Sequence, residues 1–176
     1  PVLFRPTVPN GIAYDGESLY VAERHRIVKW AGASALDTAR RFAAPIPVLA
    51  GLPDKSHHGW RYAAFGPDGK LYVSIGAPCN VCLPDGLEGS IIRLDADGGN
   101  VETVARGIRN SVGFDWHPST GELFFTDNGS DGLGDDTPAP DLPHRPPQRP
   151  VRKAGRSRRS PDPQTHNTPP TRPPTP

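Results

Sequence analysis

Leu71-Tyr72-Val73-Ser74, near the middle of the chain, has two counterparts: Leu19-Tyr20-Val21-Ala22 lies 52 residues before it and Leu123-Phe124-Phe125-Thr126 lies 52 residues after it. Each is short, rich in β-branched or aromatic residues and followed by polar, Gly-containing sequence, the composition of a strand between turns. A strand unit recurring every ~40–50 residues predicts a β-propeller, in which each repeat is one blade.

An apolar segment precedes each copy across a turn: Gly11-Ile12-Ala13-Tyr14, Tyr62-Ala63-Ala64-Phe65 and Val112-Gly113-Phe114-Asp115-Trp116. The intervening Asp15-Gly16, Pro67-Asp68-Gly69 and His117-Pro118-Ser119-Thr120-Gly121 supply the dihedrals that hairpins need. Third strands are predicted at Arg26-Ile27-Val28-Lys29-Trp30 and Ser90-Ile91-Ile92-Arg93-Leu94, and fourth strands at Pro47-Val48-Leu49-Ala50 and Val101-Glu102-Thr103-Val104. The fold class expected is therefore all-β: a partial β-propeller of about two and a half four-stranded blades, since closure takes roughly four to eight. On this reading the chain is a piece of something larger.

Composition divides the 176 residues into a propeller body, 1–136, and a tail, 137–176. The tail holds thirteen of the 23 prolines and eight Arg or Lys against two Asp, leaving the body mildly acidic with twelve basic and seventeen acidic residues. Stretches such as Pro146-Pro147-Gln148-Arg149-Pro150 cannot bury enough apolar surface to offset chain entropy, so the tail is expected to be disordered. Its Arg and Pro bias is also what a GC-rich gene yields in a shifted frame. The basic tail lacks interleaved aromatics, and a nucleic-acid partner is not expected.

No stretch is long and apolar enough to predict a membrane-spanning helix, and no signal sequence is read in the chain. The two cysteines, Cys79 and Cys82, form a C-x-x-C without the second ligand pair that zinc requires. A local loop disulfide, and with it a periplasmic or secreted location, is the favoured reading.

Strands alternate in direction within a blade, so the loop entering each first strand shares a face with the loop between the second and third. Four unusual segments fall on that face: His57-His58-Gly59-Trp60-Arg61, Gly76-Ala77-Pro78-Cys79-Asn80-Val81-Cys82, Arg106-Gly107-Ile108-Arg109-Asn110, and Asn128-Gly129-Ser130-Asp131-Gly132. The histidines are either turn residues or a base near neutral pH. Arg109-Asn110 either ties neighbouring blades or clamps an anionic, planar ligand. The Asp- and Gly-rich run 127–136 is either a solvated loop or a source of oxygens for calcium.

Together with Phe65-Gly66-Pro67-Asp68-Gly69-Lys70-Leu71-Tyr72-Val73, Ser111-Val112-Gly113-Phe114-Asp115-Trp116-His117-Pro118 and Thr126-Asp127-Asn128-Gly129, these motifs resemble the soluble glucose/sorbosone dehydrogenases, six-bladed propellers using pyrroloquinoline quinone (PQQ) and calcium. The resemblance covers roughly residues 8–138 and is strongest to the sorbosone-dehydrogenase-like branch. It implies that His57 is the catalytic base, with His58 second by its spacing from Arg61, and that Arg109 and Asn110 bind the quinone. Carbonyls near Gly129 and Ser130 would hold calcium. The implied substrate is an aldose or related aldehyde, with an external electron acceptor.

Two departures accompany the resemblance. Ala77 stands where aldose-type relatives place an aspartate that orients the histidine, and the later Lys and Arg residues that complete the cofactor site have no match after Asp136. The fragment is accordingly expected to be inactive alone. The rival readings are a lactonase-type, metal-dependent hydrolase and a non-catalytic binding propeller.

Overall fold

The computed structural model describes residues 6–32 and 44–132, together with the backbone of Arg152 and Lys153. Among these residues every regular element is a strand. The first blade comprises β1 (Gly11–Tyr14), β2 (Leu19–Ala22), β3 (Arg26–Trp30) and β4 (Ile46–Ala50), and the second β5 (Ala63–Phe65), β6 (Leu71–Ile75), β7 (Ser90–Leu94) and β8 (Glu102–Arg106). Each blade is an antiparallel sheet in sequence order. The third begins with the hairpin of β9 (Phe114–Trp116) and β10 (Leu123–Phe125), and β10 pairs in parallel with β11 (Arg152–Lys153) on its other edge. The chain is a partial β-propeller, as the 52-residue repeat predicts. The expected disorder of 137–176 lies outside the described residues, apart from the backbone of β11.

The blades repeat in detail. In the first hairpin Asp15 Oδ1 accepts from the backbone N–H groups of Glu17 and Ser18, while its Oδ2 accepts from the Tyr20 hydroxyl at 3.0 Å. In the second, Asp68 Oδ1 accepts from Lys70 N–H and Oδ2 from the Tyr72 hydroxyl at 2.9 Å. In these two hairpins an aspartate thus shapes the turn and also satisfies the hydroxyl of the buried tyrosine on the strand that follows. Burial, reinforced by Asp15, pushes the Tyr20 hydroxyl up to about 12. The third hairpin has Phe124 at the tyrosine's place, and its turn is built on His117, whose Nδ1 accepts from Ser119 and Thr120. A register shift between the third and fourth strands recurs as well, at Ile27/Val28 and at Ile91/Ile92.

Packing between blades forms two cores. Between blades one and two, Tyr20 and Ile27 meet Leu71, Val73, Ile75, Ile92 and Leu94. Between blades two and three, Tyr72, Ile91 and Ile108 meet Phe114, Leu123 and Phe125. Consecutive residues of β6 and β7 therefore point into different cores, which is why all five residues of β6 are buried rather than alternate ones. The innermost strands come close where side chains vanish: a Cβ on Gly11 would stand 2.6 Å from the Arg61 carbonyl oxygen and 2.8 Å from Ala63 N. That closeness brings the loops at one end of the blades to a common centre.

Candidate functional site

Four loops meet at that end: 51–62, 76–89, 107–113 and 126–132. Backbone hydrogen bonds stitch them together, with Ala77 N–H donating to Arg109 O at 2.8 Å, Ile108 N–H to Gly89 O at 3.1 Å and Asn128 N–H to Asn110 O at 3.1 Å. These contacts bring the Cys, Arg-Asn and Asp-Gly segments together, and the His segment joins them through His58 Nδ1, 2.8 Å from the Ala77 carbonyl oxygen.

Loop 51–62 is held from below by Arg61, whose guanidinium is 2 % exposed and donates through Nη2 to the carbonyls of Arg24 at 2.9 Å and Pro53 at 2.5 Å. Burial, with the charge of Arg24 adding to it, lowers the guanidinium to about 10. Its Nε, also buried, has no hydrogen-bond partner among the described residues. Above it, His57 is exposed and its ring lies 3.9 Å from that of His58, centroid to centroid. His58 is half-buried, with a left-handed backbone (φ 48°). Its Nδ1 lies 2.8 Å from the Ala77 carbonyl, and because a carbonyl only accepts, Nδ1 carries the proton and Nε2 the lone pair. Burial lowers the His58 pKa below 6.5 against the Ala77 hydrogen bond; the charges of His57 and Arg109 lower it further, while Asp131 opposes them. Two groups from other loops thus reach His58 electrostatically.

Arg109 is 7 % exposed and all three of its guanidinium nitrogens donate hydrogen bonds. Nε donates to Asn80 O at 3.0 Å, Nη1 to Asn128 O at 3.2 Å, and Nη2 to Asn80 Oδ1 at 2.6 Å and Asp131 Oδ2 at 2.7 Å. The Asp131 side chain is 85 % exposed, so this guanidinium holds a carboxylate at the solvent boundary. Asn110 uses both backbone groups, its N–H donating to Asp127 Oδ1 at 2.8 Å. Of the residues expected to hold calcium, Gly129 is exposed and Ser130 half-buried, with its Oγ donating to Asn80 O at 3.3 Å. Among the described residues no group of three or more His, Cys, Asp or Glu side chains is gathered for a metal. Cys79 and Cys82 form a disulfide, which brackets Asn80 and leaves neither sulfur as a thiolate for a metal.

Arg109, Asn110 and Ser130 are therefore brought into one hydrogen-bonded knot, while His57 stands at its approach beside the pinned His58. Sequence reasoning missed Asn80, Asp131 and the Ala77 carbonyl. The signal for Asn80 was its position between two cysteines, whose bond closes the backbone of the turn around it.

Fold and loops define the class: a partial β-propeller with an acid-binding arginine and a histidine pair at the convergent end. No protein-family model matches the chain. An uncharacterised protein of Borreliella burgdorferi (strain B31) is 34 % identical over 142 residues, covering 76 % of this chain and 38 % of that protein. Among solved structures, an oxidoreductase (glucose dehydrogenase) from Thermus thermophilus matches at 26 % identity and a TM-score of 0.50, over 68 % of this chain and 45 % of that one. The PQQ-bound aldose sugar dehydrogenase of Streptomyces coelicolor matches at 24 % identity and a TM-score of 0.55, over 74 % of this chain and 46 % of that one. The chain shares its fold with these sugar dehydrogenases and spans less than half the length of each protein named. No helix among the described residues is long and apolar enough to cross a membrane.

Proposed function

We propose that the chain carries one sector of a quinone-dependent sugar dehydrogenase, acting in the periplasm or outside the cell on an aldose or a sorbosone-type aldehyde. The observation that carries this reading is Arg109: a buried guanidinium, at the face where four loops converge, that already holds a carboxylate. PQQ is planar and ringed by carboxylates, and the donor set of Arg109 fits such a group. When bound, PQQ supplies a two-electron acceptor for hydride from the sugar carbon, with electrons leaving to an external acceptor.

In this reading Arg109 and Asn110 bind and orient the quinone, and Arg109 stabilises the negative charge that develops during reduction. His57 takes the proton of the sugar hydroxyl on an imidazole nitrogen, from an exposed position open to substrate. The carbonyls of Gly129 and Ser130 are the proposed calcium ligands; calcium takes about six to eight oxygens, so the remainder come from cofactor, water or residues outside the described set. One observation favours a second assignment of the base: the Ala77 carbonyl fixes His58 with its Nε2 lone pair available.

Titration of the chain with PQQ, followed by cofactor fluorescence with and without calcium, tests the site. Binding that is lost in Arg109→Ala supports the reading, and an Arg109→Ala chain that binds PQQ as tightly as the unaltered chain overturns it. In a full-length relative, His57→Ala and His58→Ala separate the two candidate bases, because only the true base lowers turnover while leaving quinone affinity intact. The chain by itself is expected to reduce no dye with sugar. Metal-dependent lactone opening without quinone would favour the hydrolase reading instead.

A further inference from the structure

Asn80 makes five hydrogen bonds, all to residues of blade three or the loops around it. Its backbone carbonyl accepts from Arg109 Nε at 3.0 Å and from Ser130 Oγ at 3.3 Å. Its side-chain Oδ1 accepts from Arg109 Nη2 at 2.6 Å and from the backbone N–H of Asp131 at 2.9 Å, while Nδ2 donates to the Asp131 carbonyl at 3.0 Å. One edge of the guanidinium, Nε together with Nη2, is thus gripped by two oxygens of a single residue. The same amide pairs with both backbone groups of Asp131 in the manner of a neighbouring strand. The disulfide of Cys79 and Cys82 closes the turn on either side of Asn80 and limits its movement.

Binding blades two and three together does not require this arrangement. The backbone bonds from Ala77 to Arg109, Ile108 to Gly89 and Asn128 to Asn110 already join the loops. What Asn80 adds is control of a plane. A guanidinium is rigid and flat, and two parallel acceptors on one edge fix its orientation in a way that a single contact does not. We propose that Asn80 is a positioning residue, which sets the guanidinium plane of Arg109 and docks loop 126–132 against it, with the disulfide as its brace. Its purpose, presenting Arg109 to an anionic planar ligand, rests on the functional reading above.

The test compares Asn80→Leu, which keeps the shape and removes the amide, with Asn80→Asp, which keeps the Oδ1 acceptor. Rotation of the Arg109 guanidinium about its Nε–Cζ bond is read by nitrogen-15 NMR on the ligand-free chain, with backbone amide spectra reporting whether the fold is intact. Asn80→Leu is expected to speed rotation by about tenfold, the weight of one hydrogen bond to a charged group, while Asn80→Asp stays close to the unaltered chain. Replacing both cysteines by alanine, with the amide retained, is expected to fall between them. Unchanged rotation in Asn80→Leu, or equal acceleration in Asn80→Leu and Asn80→Asp, overturns the proposal. PQQ titration of the same proteins is the separate arm. Full PQQ affinity in Arg109→Ala sinks the dehydrogenase reading, and in that case, as where the unaltered chain binds no PQQ, the rotation rates decide the role of Asn80. If PQQ binds, an Asn80→Leu chain with full affinity overturns the positioning role.

Discussion

A left-handed backbone at a residue that bears a Cβ, as at His58, persists only where surrounding contacts hold it. Gly76 is one such contact: a Cβ there would collide with His58 Cβ and stand 2.6 Å from its carbonyl oxygen. Gly76→Ala is expected to push His58 away from the Ala77 carbonyl and to destabilise the chain by roughly 1–3 kcal/mol, measured by urea unfolding. The pinned imidazole also makes stability depend on pH. The unfolded chain takes up a proton at the ordinary 6.5, while in the folded chain burial disfavours the charged ring. The unfolded state therefore binds more protons in that window, and stability present above 6.5 is lost as pH falls through the lower folded value. His58→Gln is expected to flatten that part of the profile when the denaturation midpoint is followed from about pH 7 to about pH 5. Losses from Asp15, Asp54 and Asp95, whose folded pKa values lie below the ordinary 3.8, fall in a separate, more acidic window and remain.

At the scale of elements, β7 shows how a middle blade serves two neighbours. Ile91 belongs to the core shared with blade three and Ile92 to the core shared with blade one, and both are fully buried. Alanine at either position removes the same side chain from a different interface, and each is expected to cost about 2–5 kcal/mol in equilibrium unfolding. Hydrogen exchange then separates them: Ile91→Ala should release the amides of β9 and β10 first, and Ile92→Ala those of β1 and β2. The strands themselves were legible because alternation, turn residues and the repeat agree; β2, β3 and β7 fall where the sequence places them. The burial of both faces of β6 was not legible there, because polar Ser74 interrupts Leu71–Ile75 and only the packing of a blade on each side buries all five residues.

For the molecule as a whole, blade one carries an exposed apolar row among the described residues. Along β1, Gly11 and Ala13 face inward, whereas Ile12 is 64 % and Tyr14 49 % exposed. Apolar side chains in such a row favour association. Sedimentation velocity is expected to show concentration-dependent self-association that the double change Ile12→Lys and Tyr14→Lys reduces. An unaltered chain that stays monomeric across the same concentrations would contradict this.

The sequence by itself determined the blade count, the hairpins and the face on which the polar loops gather, because strand period and turn chemistry are local and repeat every 52 residues. It also singled out Arg109 and the histidine pair as unusual. Only the tertiary structure decided what those residues touch. That Asn80 grips Arg109 across 29 residues, that Asp131 closes the guanidinium from 22 residues away, and that a backbone carbonyl at Ala77 chooses the tautomer of His58 all depend on how neighbouring blades bring their loops together. Backbone carbonyls have no signature in a sequence, and long-range hydrogen bonds have no period, so neither could be read before the blades were packed.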